Sequence, residues 1–297
     1  MALAASSARR TLVVVRAGEK SLHRGWLSGE RNWDLVVSWY GDEPYEPVAD
    51  EVVLPAKGWK WDVLWAQVSA HPEWLEHYDY FWFPDDDIET SAADINRLID
   101  MAARHGLEVC QPALTIGSYY SHPFTLVCPS FELRYSTFVE IMVPMLSRAA
   151  LERVLQYFAL SISGWGLDGL WSRLEANNER RAAIIDAVCV RHTRPIGVFL
   201  KGRMEKNGLD PRRDWEVVRA RFGLEQKIRE FPCYAGLSRR GRYRGAAATW
   251  LLMLRDYWRQ RRRIVSDDLA EFFALGFKYG LRGTSRAQRV DAVSAGE

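Results

Sequence analysis

Tyr78-Asp79-Tyr80-Phe81-Trp82-Phe83-Pro84-Asp85-Asp86-Asp87-Ile88-Glu89 reads as a buried strand that runs into a cluster of carboxylates. The aromatic run from Tyr80 to Phe83 has the composition of a strand covered on both faces. Pro84 ends the ladder by removing a donor and holding Phe83 extended. The acids then stand at the carboxyl end of a strand, where open α/β sheets take their ligands. Two carboxylates about 4 Å apart repel by roughly 4 kcal/mol at an effective dielectric of about 20, so three in succession ask for a compensating charge. A hard divalent cation, Mn²⁺ or Mg²⁺, supplies one and keeps coordination positions open for phosphate oxygens. A solvated turn in which Asp85 or Asp87 caps the next helix is the plainer alternative, although a cap needs one acid and not three.

Upstream, Thr11 to Arg16 is a first strand, and Arg16, Ala17 and Gly18 form a turn across which a nucleotide could lie. Trp33 to Trp39 and Glu51 to Leu54 follow as strands, a succession that favours an α/β sheet. Trp61, Leu64, Trp65 and Val68 recur at helical spacing from about Lys60 to before Pro72. Lys57 and Lys60 stand at that helix's entrance, where an anion would be favoured; surface lysines are the alternative.

Downstream of the acids, Ile88 to His105 reads as a helix with Ile95, Leu98, Ile99 and Ala102 on one face, and Leu107 to Gln111 as a strand. Thr115 to Pro129 is a long loop and a candidate lid on the acceptor side. Phe138 to Val143 reads as a strand whose Glu140 would face a cleft or an exposed edge, and Ser147 caps the helix after it. In Ser163-Gly164-Trp165-Gly166-Leu167-Asp168-Gly169, two glycines let the backbone carry an indole close to a ligand. Asp168 there, at the head of a helix from Leu170 to Ala176, can be a cap or a catalytic base. A late strand from Ala183 to Arg191 delivers His192, a residue type suited to complete a metal site but as often structural.

Composition sets outer limits. The 297 residues are 48% hydrophobic and 26% charged, as for an ordinary globular protein with ample core; the 13 tryptophans suit core packing and also stacking on sugars or bases. Residues 1–200 carry 18 basic and 26 acidic side chains, residues 201–297 carry 22 and 12, so a basic stretch follows an acidic one. Four widely spaced cysteines suggest neither a zinc knuckle nor a disulfide framework. The apolar run Leu12 to Val15 is too short for a signal-peptide core, and the expectation is a cytoplasmic protein.

The motifs Val14-Val15-Arg16-Ala17-Gly18, Tyr78 to Asp87, Gln111-Pro112-Ala113, Val139 to Pro144, Gly164 to Asp168 and Val190-Arg191-His192 together resemble domain-of-unknown-function family 707 of plants and bacteria. The resemblance spans roughly residues 10–200. That family is similar to glycosyltransferases of the GT-A type. The resemblance therefore implies a Rossmann-like mixed sheet sandwiched by helices, a catalytic domain over 8–200 and a basic α-helical extension over 201–297. It implies metal ligands Asp85, Asp87 and His192 and Asp168 as base, to which the reading of the residues adds donor contacts from Arg16, Ala17, Gly18, Lys57, Lys60, Asp85 and Asp86 and acceptor contacts from Glu140 and Trp165. The activity implied is transfer of a sugar from a nucleotide-diphosphate sugar to a hydroxyl acceptor, lipid-linked or polysaccharide, with inversion at the anomeric carbon if Asp168 is the base; a retaining mechanism would leave Asp168 as an acceptor clamp.

Two other readings compete. A non-catalytic carbohydrate- or nucleotide-binding protein would use the same residues without turnover. A phosphatase of the haloacid dehalogenase type also begins with strand-Asp-x-Asp but wants Thr or Val two residues after the second acid, where this chain has Glu89. In the basic stretch, Ser238 to Arg244 and Arg259 to Arg263 bracket Trp250 to Leu254, with Tyr257 and Trp258 beyond. The pattern suits an anionic membrane surface, which would make the protein peripheral at the inner face, and also suits packing on the acidic domain; nucleic acid is the less favoured partner. Thr284 to Glu297 read as a disordered end.

Overall fold

Thr11–Ala17 (β1) is buried along its whole length, and it lies at the middle of the parallel half of the sheet. In the computed structural model, residues 10–171, 173–174, 180–196, 202, 204, 206–223 and 232–264 are described. β1 pairs in parallel with Asp34–Trp39 (β2) on one side and with Tyr80–Trp82 (β4) on the other, while Glu51–Pro55 (β3) extends the sheet beyond β2. Chain order therefore reverses between β1 and β4, and their carboxyl ends open a crevice at a topological switch point.

The other half is mixed. Met145–Ser147 (β8) runs antiparallel between β4 and Val109–Leu114 (β6), and Ala182–His192 (β9) is parallel to β6. Phe131–Ser136 (β7), Cys233–Ser238 (β10) and Tyr243–Gly245 (β11) complete the eleven-stranded array with antiparallel pairings, and the two-residue strand Ile88–Glu89 (β5) pairs off the main path with β9. The described basic stretch is thus not helical throughout: between the helices Pro211–Phe222 (α6) and Ala246–Gln260 (α7), its residues 233–245 form a hairpin on the sheet edge. The stretch from Thr284 onward lies outside the described residues.

Helices cover both faces, as the continuous burial of β1 and β2 requires. Leu12, Val14, Val36, Phe81 and Phe83 pack with Trp61, Leu64 and Val68 of Lys60–Ala70 (α1) and with Leu151 and Val154 of Arg148–Val154 (α4). Val13, Val15, Leu35, Val37 and Trp82 pack on the opposite face with Ile95, Leu98 and Ala102 of Ala92–Arg104 (α3), in a cluster that also takes in Trp250, Met253 and Tyr257 of α7. Trp65, expected on the buried stripe of α1, is 41% exposed; Val63 and Gln67 are buried there.

Two segments differ from the sequence expectation. Ile88 and Glu89 are a strand and not the first turn of a helix, because Ser91 accepts from the Asp94 amide and starts α3 at Ala92. Residues 138–143 form no strand, since side chains take over their backbone groups. Gln111 accepts from the Glu140 amide, Trp171 donates to the Val139 carbonyl, Trp82 to that of Val143 and Lys60 to that of Ile141.

Where β9 passes Pro112, its register jumps from Ile185 to Cys189 against adjacent residues of β6. A proline without a donor suits such an irregularity. The extra residues carry Asp186, fully buried, which accepts from Arg134 Nε at 2.8 Å and Nη2 at 2.9 Å; Arg134 also donates to the carbonyls of Phe124 and Leu126. Tyr257 of α7 donates to that same Leu126 carbonyl, so the C-terminal helix closes over the pair. No helix of the described residues is long and apolar enough to cross a membrane. Arg134→Met strands the Asp186 charge and is expected to lower stability by about 3–5 kcal/mol in urea unfolding, with much of the loss recovered in Arg134→Met/Asp186→Leu. A small loss in the single variant would show that the pair is not holding β7 to β9.

Candidate active site

The switch-point crevice receives the acidic loop directly. Phe83 and Asp85 donate their amides to the carbonyls of Pro144 and Met142, so the 138–144 segment holds the loop after β4 from one side. β5 holds it from the other: Ile88 pairs with His192 and Glu89 with Arg191, the Trp26 indole donates to the Ile88 carbonyl, and Thr193 donates its amide and hydroxyl to the Asp87 carbonyl. This pairing carries His192 onto the acids. One ligand atom each from Asp85, Asp87 and His192 lies within 4.8 Å of the others, and His192 Nε2 is 3.1 Å from Asp87 Oδ2.

The orientation of His192 is fixed from behind. Its Nδ1 faces the Tyr119 carbonyl at 3.0 Å, which leaves Nε2 for the acids, and its amide donates to Ser118. Burial pulls the His192 pKa down, but the hydrogen bond and charge of Asp87, and the charge of Asp85, outweigh it and hold it above the ordinary value. The pairing with Asp87 favours the protonated imidazole, and a cation bound here would compete with that proton. The loop over 115–129, expected as a lid, is instead packed: Ser118, Phe124, Thr125 and Leu126 are buried, while Tyr119 is 42% exposed.

Lys60 reaches from the start of α1 to Asp85 at 2.5 Å. Its ammonium offsets part of the charge on an acid that burial pushes up in pKa. Asp86 turns elsewhere. It accepts from the Gly18 amide, the Tyr40 hydroxyl and Arg194 at 3.3, 2.8 and 3.0 Å, tying the turn after β1 to the acidic loop. Arg16, expected at a nucleotide, is buried and spends its donors on Ser38, the Ala56 carbonyl and the Gly58 carbonyl. Lys57 is likewise directed at the carbonyls of Tyr40 and Gly41 and at Asp42. Ala17 is fully buried in β1, so of this turn Gly18 alone is joined to the acidic loop, through its amide.

On the far wall stand two more acids. Glu140 is 2% exposed, and neither of its carboxylate oxygens has a hydrogen-bond partner at normal distance among the described residues. Burial foremost, with the charge of Asp168 adding to it, pushes its pKa to about 7, against the opposing pull of Ser121 and His192. Glu140 thus lies within electrostatic reach of both His192 and Asp168. Asp168 sits in the first turn of Leu167–Leu170 (α5), a shorter helix than the sequence suggests, and burial raises its carboxyl to about 7 although the Gly169 amide donates to it at 2.9 Å.

The Gly-Trp-Gly turn sets this wall. Gly164 takes φ +84°, and a Cβ there would lie 2.2 Å from the Trp61 indole nitrogen; Gly166 takes φ +96° ahead of α5. Trp165 between them is 45% exposed. The sequence reading did not find Tyr40 or Arg194 in the site, and it offered Ser118 and Tyr119 only as part of the 115–129 lid and not as the residues that orient His192. Tyr40 and Arg194 each follow the carboxyl end of a strand by one or two residues, and that position was the signal available.

A family model described as "Protein of unknown function (DUF707)" matches residues 49–133, which include the acidic loop. Among solved structures, the chain is similar to residues 1–349 of TarS from S. aureus, at 12% identity and a TM-score of 0.40 over 74% of this chain and 76% of that one. It is also similar to glucosyl-3-phosphoglycerate synthase from Mycobacterium tuberculosis, solved with Mn²⁺, uridine diphosphate and glucosyl-3-phosphoglycerate, at 14% identity and a TM-score of 0.41 over 74% and 82%. A197 from STIV matches at 11% identity and a TM-score of 0.35 over 80% and 93%. No curated protein matches the chain.

Glu140 keeps its proton to about 7 in the folded chain against 4.5 ordinarily. Between those values the folded state binds more protons than the unfolded one, so stability falls as pH rises through this window, by about 3 kcal/mol for this group. Glu140→Gln should flatten the fall in urea unfolding followed across that range. An unchanged slope would place the titration elsewhere.

Proposed function

We propose that the protein is a metal-dependent glycosyltransferase that moves a sugar from a nucleotide-diphosphate sugar to an acceptor hydroxyl. One observation carries the reading: two carboxylates and an imidazole from sites about a hundred residues apart meet in the switch-point crevice, within 4.8 Å of one another. The donor set fits a cation that accepts oxygen together with one nitrogen, Mn²⁺ more readily than Mg²⁺, and it leaves positions open for a ligand's oxygens. Asp85, Asp87 and His192 would hold it. When bound, such a cation neutralises the charge that develops on a diphosphate leaving group.

The chain's own residues supply the rest. Lys60, already at Asp85, is placed to follow negative charge from the carboxylate to a diphosphate oxygen. Gly18 and Asp86, bonded to each other, shape the floor over which the nucleoside would lie. Asp168 accepts the proton of the acceptor hydroxyl. The freed oxygen then bonds to the anomeric carbon as the bond from that carbon to the diphosphate breaks, with inversion. A carboxylate with a pKa of about 7 is a stronger base than an ordinary aspartate and is still ionised in half or more of the molecules at neutral pH. Glu140, buried without a protein partner, is available to accept from a second acceptor hydroxyl, and the exposed Trp165 offers a face for a sugar ring.

Two measurements test this. In thermal unfolding with Mn²⁺ and a panel of nucleoside diphosphates, the wild-type chain should be stabilised, by about 2.7 kcal/mol at a hundredfold excess over Kd. Asp87→Ala should lose that response while melting near the wild-type temperature without ligand, and a retained response would exclude Asp87 as a ligand. Asp168→Asn should lower acceptor-dependent release of nucleoside diphosphate by about 10²–10⁴-fold with donor binding intact. Because Asp168 must be ionised to act, the wild-type rate should rise with pH to a plateau above about 7. Donor binding without any nucleoside diphosphate release would instead indicate a binding protein.

A further inference from the structure

The basic C-terminal stretch is not absorbed by the site chemistry. Residues 239–264 hold nine arginines, no lysine and a single acid, Asp256. Asp256 is 4% exposed, with its carboxylate accepting from the Ser130 amide and hydroxyl, so it offers little countercharge outward. The α7 helix buries Trp250, Met253 and Tyr257, and its outer stripe of Leu251, Arg255 and Trp258 runs at i, i+4 and i+7. Leu251 is 54% and Trp258 59% exposed, large values for apolar side chains that one helix turn away could have been buried. The Arg261 guanidinium lies over the Trp258 ring at 4.2 Å, a pairing that keeps an indole and a cation at the same depth.

Topology decides where this face points. β9 is parallel to β6 and, through the antiparallel β8, to β4, so His192 and the acidic loop share one end of the sheet. β10 is antiparallel to β7, which is antiparallel to β9, so β10 ends at that same end and the turn with Arg239, Arg240 and Arg242 follows it there. Ser130, just before β7, is at this end as well, and its bonds to Asp256 bring the last turn of α7 to it. The arginine turn, Trp258 and Arg259 to Arg263 therefore gather on the rim at the end of the sheet that holds the metal-ligand cluster.

We propose that this rim docks on an anionic lipid bilayer, with Leu251 and Trp258 entering the headgroup region and the arginines binding lipid phosphates, so that the crevice opens toward the membrane surface. An apolar and aromatic stripe flanked by cations on one helix is the arrangement that lies in a membrane interface; a face that binds RNA or an acidic protein by charge alone has no use for an exposed leucine beside the tryptophan. Arginine, forming paired hydrogen bonds to phosphate, suits headgroups better than lysine would. If the transferase reading holds, the acceptor is one presented at a lipid surface.

Sedimentation of the full chain with phosphatidylcholine vesicles, with and without phosphatidylglycerol, tests the docking in the absence of metal and nucleotide. Binding is expected to the anionic vesicles alone, to weaken with salt, and to fall about fivefold for each of Arg240→Gln, Arg242→Gln and Arg262→Gln. Leu251→Ala/Trp258→Ala, at exposed positions, should lower it by at least about tenfold and abolish the blue shift of tryptophan emission on adding vesicles. No binding overturns the proposal. So does binding indifferent to Leu251 and Trp258, or binding that a short RNA abolishes while itself binding more tightly. Asp87→Ala should bind vesicles as the wild type does, so the docking and the transferase reading stand or fall separately.

Discussion

The short antiparallel pairing of Ile88 and Glu89 with His192 and Arg191 is the constraint on which the site rests. It closes a chain loop of about a hundred residues, joins two otherwise distant strand ends, and is buttressed by the Trp26 indole and by both donors of Thr193. The closure entropy of a loop of about a hundred residues is about 7 RT, roughly 4 kcal/mol, which a handful of well-made hydrogen bonds within the array can offset. Without it, three negative charges would face one another at a strand end with Lys60 as the nearest cation and no imidazole.

Around that joint, the molecule divides its polar groups between holding and waiting. Asp86, Arg16 and Lys57 are committed to internal partners and give the crevice its rigidity. Glu140 and Asp168 are the reverse. Burial raises both to about 7, although Asp168 accepts from the Gly169 amide while the Glu140 oxygens have no partner at normal distance among the described residues, a cost in folding stability that a purely structural carboxylate would not be expected to carry. Such strain is repaid when a ligand supplies the missing partners. The loop over 138–143 makes this arrangement achievable, because indoles and an amide side chain occupy its backbone groups and hold Glu140 inward without a ladder.

The buried Arg134–Asp186 pair performs the same service toward the sheet edge where the C-terminal hairpin and α7 join. Four hydrogen bonds from one guanidinium to Asp186, Phe124 and Leu126, two of them to the carboxylate, fix where the packed 115–129 segment lies. That segment in turn presents the Tyr119 carbonyl that orients His192. A core ion pair and the cluster of Asp85, Asp87 and His192 are thereby linked through one loop.

The sequence by itself determined the continuously buried strands β1 and β2, the largely buried β9, the helix stripe of α3, and the residue types that could hold a cation, Asp85, Asp87 and His192. Those features are local: an apolar run, a helical period or an acid after a proline carries its meaning within about ten residues. Only the tertiary structure decided that Ile88 leaves the helix to pair with His192, that residues 138–143 give up a strand for side-chain partners, and that Arg16 and Asp86 serve the framework. It also decided that the arginine-rich hairpin extends the same sheet. In each case the deciding partner lies tens to a hundred residues away, and a hydrogen bond or charge pair formed on chain closure leaves no periodic trace in the residues on either side of it.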